Sequence, residues 1–446
     1  MDYTPHTEED ITTMLAALGL EDVQDLRAPI PDSLRMPTLD LPPGMTEMEG
    51  VGLVDSIAAA SRAAAPELSF LGAGAYDHFA PSVVDATISR GEFFTAYTPY
   101  QPEVSQGTLR VIFEFQTMMC ELTGMEVANA SMYDGSSALA EAVLMAMRIR
   151  PGKRVILPRS LHPFYRSVVE TYVRGIGLQI VTAPWTLGGT IDLDWLADNA
   201  DDSATAVVIQ NPNFLGVLEP LDEIGALLAD RSPLSIAAVN PITLGQIEPP
   251  GSYGADIVVG DGQPLGLPLS FGGPYVGFFA TRHEHIRRMP GRIVGQTTDV
   301  NGKRAYVLTL KTREQDIRRD KATSNICTNQ TLCGTAVTVY LSALGPKGLA
   351  EVGAVNWERS HAAQEALCGL PGVSSPFGGP FFNEFVWQTP MPATDLLDRL
   401  SQSGISAGVD LGRFYEDLSN CVLTCVTEKR SPDDVDRLVK AVEGAI

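Results

Sequence analysis

The run Tyr97-Thr-Pro-Tyr-Gln-Pro-Glu-Val-Ser-Gln-Gly107 carries two phenols, two amides, a carboxylate and a Ser hydroxyl, on a backbone stiffened by two prolines. Fixed donors and acceptors at that density fit the wall of a polar ligand pocket better than a plain surface loop. Tyr97, Tyr100, Gln101 and Glu103 are its candidate ligand-facing groups. Four later segments carry further chemistry. Asn129-Ala-Ser-Met-Tyr-Asp-Gly-Ser-Ser137 leads into a helical pattern and reads either as an anion cup or as an N-cap, with Asp134 on the helix dipole. Gln210-Asn-Pro-Asn-Phe-Leu-Gly216 ends an apolar run; Gln210, Asn211 and Asn213 read equally well as pocket residues or as a turn. Asn240-Pro-Ile-Thr-Leu-Gly245 ends the next run. Lys311–Lys321 holds five cations and three acids, and reads as a solvated helix or as an anion- or subunit-facing one. It leads to Ser324, Asn325, Cys327 and Thr328. Cys327 has no His nearby in sequence, which argues against a thiol nucleophile.

An absence is as informative as these motifs. No lysine occurs between Lys153 and Lys303. If the downstream core serves pyridoxal phosphate, it cannot form the usual Schiff base. Gln263, in the strand-and-turn Asp256–Gly266, stands near the position such a lysine would take, and an amide forms no imine. Asn240 stands where an Asp would hold the pyridine nitrogen, and a neutral amide is a much weaker partner for a cation. Two groups missing together weigh more than either alone.

The elements that must position these residues follow from periodicity. An amphipathic helix over 7–19, opened by Thr7 with Asp10 as a loose capping box, precedes a proline-marked arm. Such an arm either wraps a neighbouring subunit or lies on its own domain. Helices are expected at 49–64, from Glu103 to Thr123, at 135–149, at 162–174 and at 220–229. Strands are expected at 154–157, 178–181, 206–210, 235–239, 256–259 and 275–280. This alternation predicts an α/β fold with a mostly parallel sheet covered on both faces. Residues 311–370 read as mainly helical, and 371–446 as a smaller α+β domain. The expected division is an N-terminal helix and arm (1–65), a large α/β domain (66–320), and a helical connection with a small C-terminal domain (321–446).

The 446 residues are 44% hydrophobic and carry a net charge of −22, which disfavours nucleic acid and anionic membranes as partners. The N-terminus lacks the basic start and apolar run of a signal peptide, and the longest uncharged runs are polar or rich in Gly and Pro, so a cytoplasmic protein is expected. The six cysteines form no Cys-x-x-Cys pair and no histidines cluster with them, so buried thiols rather than a metal site or disulfides are expected.

Tyr97–Gly107, Asn129–Gly135, Gln210–Gly216, Gly260–Gly273 and Thr312–Thr328 resemble the P-protein of the glycine cleavage system, glycine dehydrogenase (decarboxylating), over nearly the whole chain. The resemblance is to the N-terminal half of the long forms, hence to the α subunit (subunit 1) of forms split into two chains. It implies a fold-type I pyridoxal phosphate-dependent transferase fold. It also implies a β subunit that bears the cofactor lysine, and an α2β2 assembly with pockets at the α–β interface. The implied reaction decarboxylates glycine and transfers the aminomethyl group to the lipoyl arm of H-protein. On this reading the chain alone has no catalytic residue. Tyr97, Tyr100, Gln101 and Glu103 reach the shared site, with Ser324, Asn325 and Thr328 as further lining candidates. Two other readings stay open: a ligand-binding or regulatory homodimer that has lost its chemistry, and a self-sufficient lyase using Lys311 or Lys321.

Overall fold

The computed structural model describes residues 5–35, 40–64 and 67–446. The chain forms two units, residues 1–65 and 66–446. In the first, α1 (Glu8–Leu18) begins with a reciprocal capping box: Thr7 N–H donates to Asp10 Oδ2 at 2.8 Å, and Asp10 N–H donates to Thr7 Oγ1 at 3.2 Å. Gly19 closes the helix at φ 68°, a left-handed conformation that suits glycine. α2 (Glu47–Ala64) follows. No described residue between 5 and 61 is buried.

The second unit opens with β1 (Leu68–Ser69), α3 (Ser82–Ile88) and α4 (Gln106–Thr123). Next come β2 (Val127–Ala128), α5 (Gly135–Ile149), β3 (Arg154–Pro158), α6 (Pro163–Arg174) and β4 (Gln179–Ala183). They are followed by α7 (Leu193–Asn199), β5 (Ala204–Asn211), α8 (Leu221–Ala229), β6 (Leu234–Val239), β7 (Ile257–Asp261) and β8 (Gly277–Thr281). Strands β2 to β8 make one seven-stranded sheet in the order β2-β8-β7-β6-β5-β3-β4. The pairs from β4 to β7 are parallel, and β8 runs antiparallel to both β7 and β2.

Alternate residues of each strand feed opposite layers. Val155, Leu157, Ala206, Val208, Ile257 and Val259 pack under α5 and α6. On the other face, Ile156, Val207 and Ile209 pack with α7 and α8, while Val239, Val258 and Phe278 pack with α4 and the long helix described below. Burial on both faces explains why the central strands read as unbroken apolar runs.

A hairpin, β9 (Ile293–Thr298) and β10 (Arg304–Thr309), lies outside this sheet and was not anticipated. Gln106 ties it to α4: its side-chain N–H donates to Tyr306 O at 2.9 Å, and its Oε1 accepts from Tyr306 N–H at 2.9 Å. α4 therefore starts at Gln106 rather than at Glu103. The expected helix over 311–321 is instead two single 3-10 turns around α9 (Gln315–Arg318). α10 (Thr331–Cys368) breaks at Gly345-Pro346, where Gly345 is non-helical at φ 63°. The C-terminal part holds β11 (Glu384–Gln388), α11 (Ala393–Gln402), β12 (Ile405–Ser406), β13 (Val409–Asp410), β14 (Cys421–Cys425) and α12 (Pro432–Ala445). β11, β14 and β13 form an antiparallel sheet around fully buried Trp387, whose Nε1–H donates to Thr424 Oγ1 at 2.8 Å. No helix among the described residues is long and apolar enough to cross a membrane.

Candidate active site

Two places deserve the name of site, and the chain treats them oppositely. The first is a cradle at the carboxyl ends of β5, β6 and β7, where ligands gather in open α/β sheets. Gly74, Tyr76, His162, Tyr165, Gln210, Asn240 and Asp261 line it. Gln263 sits beside it, fully buried. Its Oε1 accepts from Tyr76 N–H at 2.8 Å, and its Nε2 donates to Tyr76 O and Leu267 O at 2.8 and 2.9 Å. Every polar atom of this amide works within the chain.

The anion cup is closed in the same way. Asp134 is the N-cap of α5, accepting from Ser137 N–H at 2.7 Å, and Gly135 N–H donates to Asp261 Oδ2 at 3.0 Å. The helix start thus holds a carboxylate of its own chain, and of the two readings of 129–137 the N-cap holds. Burial pushes Asp261 up to about 7 against the pull of the Gly135 and Gln263 N–H donors, with Asp134 pushing the same way. Buried His162 is held below its usual value by desolvation; its Nδ1 accepts from Phe164 N–H, which leaves Nε2–H to donate to Ala73 O at 2.8 Å.

Space in the cradle is about 30 Å³, enough for a water or two. Pyridoxal phosphate does not fit: no lysine lines the cradle, the Gly135 N–H is taken by Asp261, and the cavity is too small. Of the strand-end residues, Gln210 lines the cradle and accepts His162 N–H at 2.7 Å. Asn211 and Asn213 do not line it; they build the turn, with Asn213 Oδ1 accepting from Leu215 and Val217 N–H and Asn211 Oδ1 accepting from Glu219 N–H.

The second site is open. The 97–101 segment lies beside 327–328, joined by a 3.1 Å contact between the hydroxyls of Thr98 and Thr328. Thr98 is buried, while Tyr97 is 70% exposed and Tyr100 36% exposed. Gln101, Glu103 and Asn325 are exposed too. The two phenol rings meet edge to face at 5.9 Å. Beneath them lies a group the sequence reading missed. Arg292 Nη2 donates to Tyr100 Oη at 2.7 Å and sits 4.0 Å from Cys327 Sγ. Its Nε is 3.1 Å from Glu314 Oε2, with both side chains buried. Arg292 holds the Cys327 thiol below its usual value, with smaller help from Gln315 and Tyr100 against burial.

Burial raises the Tyr100 phenol, and Arg292 opposes that rise. Lys311 Nζ stands 5.5 Å from the centre of the Tyr100 ring. Ser324 turns inward, its hydroxyl donating to Glu141 Oε1 at 2.8 Å. Thr328 thus joins the tyrosine segment, while Ser324 anchors its loop to α5. Arg292 follows an unremarkable Gly291, and only a cluster of arginines around 287–292 marked the stretch.

The family model described as glycine cleavage system P-protein matches residues 1–442. A protein of Moorella thermoacetica named probable glycine dehydrogenase (decarboxylating) subunit 1 is 49% identical over 447 residues, covering 100% of both chains. A protein of the same name from Geobacillus kaustophilus is 50% identical over 438 residues, covering 98% of this chain and 97% of its own. A crystal structure of glycine decarboxylase (P-protein) of the glycine cleavage system, in inhibitor-bound form, superposes with a TM-score of 0.92 at 43% identity over 100% of both chains. A sphingosine-1-phosphate lyase from Burkholderia pseudomallei, 16% identical with a TM-score of 0.69 over 93% of this chain and 94% of its own, shares the fold. The fold is that of fold-type I pyridoxal phosphate enzymes. On its sequence over almost its full length, and on its fold, this chain belongs to the glycine cleavage system P-protein family.

Proposed function

We propose that this chain is the lysine-free subunit of a two-chain P-protein, which decarboxylates glycine and passes the aminomethyl group to the lipoyl arm of H-protein. One observation carries the division of labour. The chain's own cradle leaves only about 30 Å³, while the Tyr97–Gly107 segment presents Tyr97, Gln101 and Glu103 outward. Side chains so rich in donors have their use on a neighbouring surface. The lysine-bearing second subunit holds pyridoxal phosphate, which supplies an electron sink for the decarboxylation.

This chain's part is to bind and to exclude water. Tyr97, Tyr100, Gln101 and Glu103 form one wall of the shared pocket, with Thr328 and Asn325 beside them; Thr98 and Thr328 hold the two segments together. Ser324 serves by fixing its loop to Glu141. An α2β2 assembly gives each such wall one partner site. The N-terminal arm fits the same scheme. Its apolar side chains, among them Leu18, Leu34, Leu41 and Met48, are exposed, as suits a clasp on a partner chain. A regulatory homodimer that used the cradle would need ligand space there, and about 30 Å³ holds no more than a water or two.

The test is a pyridoxal phosphate titration of the purified chain, alone and with the second subunit, read by imine absorbance and borohydride trapping. No imine on this chain, and glycine decarboxylation only in the mixture, is the expected result. A trapped imine on Lys311 or Lys321 would overturn the reading.

A further inference from the structure

We propose that Arg292 is a positioning residue that aims the Tyr100 hydroxyl proton out of this chain, as a hydrogen-bond donor to an anionic oxygen of the ligand in the shared site. This rests on the reading above, that Tyr100 faces that site.

The argument begins with donor and acceptor bookkeeping. A phenol oxygen has one proton and two acceptor directions, whereas a guanidinium only donates. Arg292 Nη2 lies 2.7 Å from Tyr100 Oη, so the oxygen is the acceptor in that contact. The phenol proton must then point elsewhere. Among the described residues the Cys327 sulfur is nearby, a weak acceptor that shares the same Arg292 arm at 4.0 Å. An incoming carboxylate or phosphate oxygen is the stronger partner, because hydrogen bonds to a charged acceptor are about twice as strong as neutral ones.

The guanidinium is fixed well enough to do this. Arg292 is 3% exposed and is held electrostatically by Glu314, 6% exposed. The pair is close but not aligned as a hydrogen bond: Nε, Nη1 and both Glu314 oxygens have no hydrogen-bond partner among the described residues. A purely structural ion pair at this depth would be expected to satisfy those atoms. Here the well-formed side-chain hydrogen bond of the guanidinium is the one to Tyr100.

The backbone around it is clamped from two sides. Arg313 donates to Met289 O and, at 2.9 Å, to Gly291 O; Asn129 Nδ2 donates to Pro290 O at 3.1 Å. Ala130 N–H donates to Arg292 O at 2.8 Å. Lys311, 5.5 Å from the centre of the same ring, adds a second cation at the rim, itself 3.8 Å from Asp316 as Arg292 is from Glu314 at 3.1 Å.

The experiment uses the reconstituted complex with the lysine-bearing subunit. Removing Arg292 alone strands the buried Glu314 carboxylate and risks misfolding, so the working variant is Arg292→Gln with Glu314→Gln. It is compared with Tyr100→Phe and with the triple combination, for glycine kcat, glycine KM and the half-saturating concentration of pyridoxal phosphate. Tyr100→Phe is expected to reduce kcat/KM about tenfold or more. The Arg292→Gln, Glu314→Gln variant should show a similar loss, with the same split between kcat and KM. Added to Tyr100→Phe, it should cost nothing further, because both act through one hydroxyl. A raised KM for glycine identifies the acceptor as the substrate carboxylate, and a raised cofactor half-saturation identifies it as phosphate.

Losses that multiply in the triple variant would show a structural role and overturn the inference. If Tyr100→Phe is costly while the Arg292→Gln, Glu314→Gln variant is silent, the inference falls and the shared-site reading stands. If Tyr100→Phe itself is silent, both fall.

Discussion

A glutamine near the place expected for a lysine invites the thought that one substitution would restore cofactor chemistry. The surroundings of Gln263 argue otherwise. Its amide both accepts from and donates to the backbone of Tyr76, and it also donates to Leu267. A lysine there could donate to the two carbonyls but would leave Tyr76 N–H without its acceptor, and would bury an ammonium beside little free space. Gln263→Lys is therefore expected to form no imine with pyridoxal phosphate and to destabilise the chain by about 1–3 kcal/mol. Absorbance titration and urea denaturation check the two parts. An imine in the variant would mean that the lost lysine alone silences the cradle. At this scale the sequence showed the absent lysine and the polar tyrosine segment. It hid Arg292 and Glu314, because a buried ion pair between residues 22 apart leaves no periodic trace.

Among the elements, β11 bears on the cradle from the C-terminal part. Glu384, at its first position, accepts from Ala73 N–H at 2.6 Å and from the Tyr76 hydroxyl at 2.7 Å. Glycine permits the approach: a Cβ on Gly72 would lie 2.4 Å from Glu384 Oε1. Burial raises Glu384 to about 7, outweighing those two hydrogen bonds. Asp261 and Glu219 are raised by burial to about 7 as well. A carboxyl whose folded value exceeds its unfolded one favours the fold most below about pH 4, and that contribution is lost as pH rises through about 7. Stability from these groups therefore falls between about pH 4 and 7. Glu384→Gln, neutral throughout, should flatten that fall, as denaturation midpoints across the window would show; an unchanged slope would place the titration elsewhere. The hairpin β9–β10 was legible in principle, since Asn301-Gly302 between alternating residues is a strong turn signal. The 311–321 segment was not, because burial of Arg313 and Glu314 among its neighbours overrode its helical charge pattern.

For the molecule as a whole, the N-terminal unit has caps and turns but no buried described residue. Its helix α1 is capped by local hydrogen bonds, and apolar side chains such as Leu34 and Met48 are exposed. Removing residues 1–64 should leave the melting temperature of the remaining chain nearly unchanged while weakening its association with the lysine-bearing subunit. Calorimetry of the truncated chain, and sedimentation of its mixture with the partner, separate the two effects. A large drop in melting temperature would instead make the arm part of this chain's own stability.

Sequence by itself determined the parts that depend on local periodicity and on residue identity. It placed α5 and the alternating strands, the capping box at Thr7, the missing lysine, and the family-bearing segments. Only the tertiary structure decided what those parts do together. It showed the α5 N-terminus filled by Asp261 from a strand 126 residues away, and Tyr100 seated on an arginine 192 residues away. Such contacts depend on which strand ends become neighbours. Crossovers and register fix that, and neither is written in any local stretch of the chain.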